Sequence, residues 1–68
     1  MKAKTDYQKA KQYLKDSAKR CKIAFANDKP KIRMIINDTV DYLCKNYQFS
    51  EYKRDLLSLY ACKLHPKN

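Results

Sequence analysis

None of the 68 residues is glycine. Glycine is the residue that most readily takes left-handed backbone conformations in tight turns and bulges, so a chain without it has to end its elements with caps and polar turns. The two prolines fall at Pro30 and Pro66, which leaves long uninterrupted stretches on either side. Helices are the natural solution. The β-branched residues between Ile32 and Val40 keep a strand open as the weaker alternative for that segment.

The apolar pattern divides those stretches into three. From Thr5 to Asn27, apolar residues recur at Tyr7, Ala10, Leu14, Ala18, Cys21 and Phe25. At 100° per residue they lie within a band of about 80°, the stripe of an amphipathic helix. Thr5 or Lys4 starts it, Asp6 complements the dipole in its first turn, and Asn27-Asp28-Lys29-Pro30 ends it. A second helix begins at Pro30, whose missing N–H costs nothing in an opening turn, with Asp28 as its N-cap. Its buried stripe reads Ile32, Ile36, Thr39, Val40, Leu43 and Tyr47. The segment Asn46-Tyr47-Gln48-Phe49 breaks the pattern, and Ser50-Glu51 starts a third helix. Its inner face is expected at Tyr52, Leu56, Leu59 and Tyr60, widened by Leu57 and Leu64, until Pro66 stops it.

The fold class expected is all-α, a compact three-helix bundle with helices at about 5–27, 30–46 and 51–64 in one domain spanning 1–68. Hydrophobic residues at 44% suffice for a core, and 34% charged residues imply a highly charged exterior. A domain this short sits near the lower limit at which one core holds unaided, so a homodimer is a natural way to bury more surface. The longest all-apolar run is Met34-Ile35-Ile36, far too short to span a bilayer. Nothing in Met1–Lys22 resembles a secretory signal. Cys21, Cys44 and Cys62 are odd in number and without paired spacing, as expected of a reducing compartment, and the expected location is the cytoplasm.

Charge is distributed unevenly. Residues 1–33 carry eleven Lys/Arg against three acids, and residues 34–68 carry five against four, out of a net +9. On the wheel of the first helix, Lys4, Lys11, Lys15, Lys19 and Lys22 share one flank beside the apolar stripe, while Asp6 and Asp16 lie on the other. Like charges at i,i+4 cost a few tenths of a kcal/mol per pair, a cost that a bound anion removes. Lys2, Lys29, Lys31 and Arg33 extend the positive surface past the helix ends. With 13 Lys to 3 Arg, the basicity suits neutralisation of phosphates better than bidentate reading of base edges. The bland alternative is a lysine-rich face that only keeps a small protein in solution. A helix-turn-helix made by the second and third helices is weakened by Glu51 and Asp55 on the would-be recognition segment.

Six tyrosines and two phenylalanines are many for this length. Tyr7, Tyr47, Tyr52 and Tyr60 fall on inner faces, where an amphipathic core role suits them. Tyr13, Ile23, Met34 and Tyr42 fall off or at the edge of the stripes and are the expected protein interface. Cys62 and His65, three apart with Cys44 as a third group, are a weak match to a metal site. No Cys-x-x-Cys pair exists, and no metal or other cofactor is expected. No catalytic residue is expected either: a Cys/His pair would lack an orienting third group, and the four later acids, Asp38, Asp41, Glu51 and Asp55, have no paired spacing.

The stretch Ile35-Ile36-Asn37-Asp38-Thr39-Val40-Asp41-Tyr42-Leu43, with Phe49-Ser50-Glu51-Tyr52 and Asp55-Leu56-Leu57, resembles the helical hairpin of small bacteriocin immunity proteins over about a third of the chain. That resemblance implies a helical bundle acting on a protein target; the longer C-terminal segment of those proteins is missing here. Asp38-Thr39 and Tyr47-Gln48-Phe49-Ser50 also resemble, faintly, the Hha-type nucleoid-associated modulators. Two unrelated families meet on one hairpin, so neither is selected.

The function expected is that of a small, basic, non-enzymatic regulator of the size carried by phages, plasmids and other mobile elements. It would bind the backbone of DNA or RNA through Lys4, Lys11, Lys15, Lys19 and Lys22, extended by Lys29, Lys31 and Arg33. The alternative is an inhibitor or immunity-type module that binds an acidic protein partner through Tyr13, Ile23, Met34 and Tyr42, with the lysines steering.

Overall fold

Thr5 opens the first helix through a reciprocal pair of hydrogen bonds. The Gln8 N–H donates to Thr5 Oγ1 at 3.2 Å, and the Thr5 N–H donates to Gln8 Oε1 at 3.0 Å. This capping box satisfies two of the N–H groups that a helix start leaves unpaired. In the computed structural model, which describes residues 4–66, three helices follow: α1 (Asp6–Ala24), α2 (Lys29–Tyr47) and α3 (Glu51–Leu64). Lys2 lies outside the described residues.

α1 stops short of the expected residue 27. Its last bond runs from the Phe25 N–H to the Cys21 carbonyl at 2.8 Å, and the Asp28 N–H then closes a turn on the Phe25 carbonyl at 2.8 Å. Asp28 cannot be helical and cap α2 at once. With φ at −127° its carboxylate accepts the Lys31 N–H at 3.2 Å. α2 is one residue longer than expected at each end, with Pro30 inside its first turn where no N–H is needed.

At the end of α2, Gln48 takes the left-handed conformation, φ 54° and ψ 48°. The Phe49 N–H then reaches back to the Cys44 carbonyl at 3.1 Å. This is the closing bond of a Schellman motif, with glutamine where glycine usually stands. It turns Phe49 inward, where its ring stacks on Tyr47 at 5.3 Å and meets Tyr7 edge-on at 6.3 Å. Ser50 stands at the N-cap of α3 as expected, but its hydroxyl makes no capping bond.

All three helix pairs are in contact. The Tyr7–Phe49 contact joins the beginnings of α1 and α3, while Arg54 pairs with Asp41 at 3.0 Å and His65 meets Asn37 at 3.2 Å across α2 and α3. α1 and α3 therefore run in one direction and α2 in the other. The core is Ala10, Leu14, Ala18 and Cys21 of α1, Ile32, Ile36, Val40, Leu43 and Cys44 of α2, and Leu57 and Ala61 of α3. The first two stripes are thus buried in their middle positions with Cys44 added, while Tyr7, Phe25 and Tyr47 pack half-buried against the core and Thr39, also half-buried, bonds the Ile35 carbonyl. Each of the large aliphatics Leu14, Ile32, Ile36, Leu43 and Leu57 stabilises the bundle by roughly 1.5–3 kcal/mol on burial.

On α3 the expected inner face is corrected. Tyr52 and Leu59 are 71% and 63% exposed, Leu56 and Tyr60 are half-buried, and the buried positions are Leu57 and Ala61. Leu56, Leu57, Leu59, Tyr60, Ala61 and Leu64 satisfy two helical faces about 100° apart. The face bearing the small Ala61 turns inward, where it lets α3 approach its neighbours closely. Among the described residues no buried side chain is polar or charged, so every charged group described lies at or near the surface. No helix of the described residues is long and apolar enough to cross a membrane.

Candidate nucleic-acid interface

The i,i+4 spacing of Lys11 and Lys15 places both on the edge of α1 that faces α3, and Lys4 lies at the head of the same edge, just before the Thr5 cap. There they line one open groove of ≈ 300 Å³ together with Gln8, Gln12 and Tyr60. None of its six lining residues is acidic. Asp16, the nearest carboxylate in sequence, is held by a hydrogen bond from Gln12 Nε2 to its Oδ1 at 3.1 Å. The Lys11 ammonium rests 4.7 Å from the centre of the Tyr60 ring. That cation–π contact fixes a long side chain over an aromatic floor.

Lys19 and Lys22 are exposed and continue the same flank of α1 beyond the groove. Lys31, exposed, lies over the Phe25 ring at 4.5 Å and so covers the turn between α1 and α2. Lys29 is exposed in the first turn of α2, and Arg33 is half-buried. Arg33 and Lys22 both act on His65. Burial is the larger cause that pulls the His65 pKa below its ordinary 6.5, and the two cations lower it further. The eight basic residues singled out from the sequence therefore divide into a groove set of Lys4, Lys11 and Lys15, a flank of Lys19 and Lys22, and a set near the turn, Lys29, Lys31 and Arg33.

Tyr60, which sequence periodicity assigns to the core, packs half-buried against it and also lines the groove. Its neighbour Tyr7 has a pKa raised first by burial and then by the nearby Tyr60 and Tyr52 hydroxyls. Of the two α3 tyrosines, Tyr60 faces α1, where Lys11 lies over its ring. The only sequence signal for this was the choice of tyrosine rather than leucine at positions 52 and 60, since a tyrosine with a buried body keeps its hydroxyl in water.

The four candidate interface residues are all exposed. Tyr13 and Tyr42 come together across α1 and α2 with ring centres 6.2 Å apart and line a second groove with Ile35, Asp38 and Thr39. Ile23 and Met34 do not line it. The thiols are all free, with Cys21 and Cys44 buried and Cys62 exposed. Burial raises the Cys44 pKa, an effect that nearby Arg54 opposes and Asp41 reinforces. Among the described residues no group of three His, Cys, Asp or Glu side chains is arranged to hold a metal ion. Set against known protein families, curated proteins and solved structures, the chain matches none of them.

Proposed function

We propose that the protein is a small non-enzymatic regulator that binds nucleic acid through the lysine flank of α1. The observation that carries this is the groove in which Lys4, Lys11 and Lys15 converge without an acidic lining residue. Three ammonium groups along one groove repel one another, and a row of phosphates relieves that repulsion while releasing condensed counterions. Lys19 and Lys22 lengthen the row, and the net charge of +9 draws a polyanion toward it from a distance.

Fluorescence anisotropy against duplex DNA, single-stranded DNA and RNA at two salt concentrations tests the proposal. Affinity should fall log-linearly with salt. Replacing Lys11, Lys15 and Lys19 together by Gln should lower the salt slope by about 2–3 while leaving helical circular dichroism unchanged. If the triple variant binds as the parent does, the flank is not the contact surface. The protein-target alternative would then take precedence, and the Tyr13–Tyr42 groove is the surface that supports it.

A further inference from the structure

An apolar face of α3 that meets the core only through the half-buried Tyr60 borders the lysine groove. Tyr52 and Leu59 are largely exposed and Tyr60 is half-buried, although their helical spacing is that of a packed stripe. Tyr60 forms the floor between Lys4, Lys11 and Lys15. Tyr52 lies about two turns before Tyr60 on α3, with its ring largely open to solvent. An aromatic row on one helix thus runs beside a cationic row on the next.

Unpaired nucleotides present these two chemistries together, a flat base face and a phosphate on every residue. In a duplex the base faces are hidden in the stack, and an acidic protein surface offers charge without flat rings. A second copy of the chain would bring nine further net positive charges to a face already lined by lysines. We infer that the groove between α1 and α3 binds single-stranded nucleic acid, with bases stacked on Tyr60 and Tyr52 and phosphates held by Lys4, Lys11 and Lys15. This rests on the nucleic-acid function proposed above and narrows it to unpaired strands. Lys11 covers the Tyr60 ring in the free protein; an arriving base takes that ring face, and the ammonium moves to an adjacent phosphate.

A pair of labelled strands of equal length, one of thymidines and one abasic, separates bases from phosphates without altering the protein. The thymidine strand should bind about tenfold or more tightly than the abasic one. It should also quench the intrinsic emission, which comes from tyrosine because the chain has no tryptophan. Tyr52→Ala, at an exposed position, should narrow the gap between the strands and leave abasic binding unchanged. Equal affinity for the two strands without quenching overturns the stacking proposal and leaves phosphate binding standing, as does a duplex that binds as tightly as the thymidine strand. Binding of duplex but of neither strand overturns the inference alone, and absence of binding by the strands and the duplex at low salt removes both proposals. A dimer of the free chain that Tyr52→Ala dissociates would assign the face to a second copy and overturn the inference.

Discussion

Gln48 is the residue whose conformation its side chain does least to explain. A Cβ in the left-handed region crowds the following carbonyl, at roughly 1–2 kcal/mol for an ordinary L-residue. The fold tolerates this because the turn sends Phe49 onto Tyr47 and Tyr7. Gln48→Gly removes the crowding but loosens the unfolded chain, so the net gain should be about 0.5–1 kcal/mol, a few degrees in Tm. A thermal melt showing destabilisation would mean that the glutamine side chain holds the turn in some other way. This position was not legible beforehand, because glutamine carries none of the left-handed preference of glycine or asparagine. Asp28 and Ser50 were legible as N-cap positions and Thr5 as one of two starts, since short polar side chains favour the residue before an apolar-periodic run, although Ser50 holds its place without a side-chain bond.

At the scale of the element, α1 and α2 could be read because their apolar residues satisfy one face each. α3 could not, because Leu56, Leu57, Leu59, Tyr60, Ala61 and Leu64 satisfy two. Periodicity gives the angle between residues, but not which of two overlapping stripes meets the other helices. That choice depends on close packing around Ala61. The two leucines two positions apart make it measurable. Leu57→Ala, at a site with 0% exposure, should cost about 2–5 kcal/mol and leave so small a domain largely unfolded at 37 °C. Leu59→Ala should change stability by no more than about 0.5 kcal/mol. Equal effects in urea denaturation would mean that the face of α3 is wrongly assigned. The lysine flank was legible from the same helical arithmetic; its meeting with Tyr60 was not, because it depends on how α3 is rotated.

For the whole molecule, pH acts through the junction of all three helices at His65. Its ring meets Asn37 of α2, and Arg33 of α2 and Lys22 of α1 disfavour its protonation. Above the ordinary pKa of 6.5 the histidine is neutral in folded and unfolded chains alike. Below it the unfolded chain takes up the proton first, so stability should decline as pH falls through that value toward the lowered folded pKa. His65→Gln, which keeps an amide able to bond Asn37, should flatten this part of the profile. An unchanged slope between pH 7 and 5 in parallel melts would place the pH sensitivity elsewhere.

The parallel course of α1 and α3 also sets when the lysine groove comes into being. Each of the two short connections brings together helices adjacent in sequence, α1 with α2 and α2 with α3. The groove lies between the pair that is not adjacent, so a hairpin of any two successive helices lacks one of its walls. Closing it requires the contacts of longest sequence separation between helices, which carry the largest loop-closure cost. A ligand that binds only the closed groove therefore stabilises the whole fold, by an amount that grows with the logarithm of its concentration above Kd.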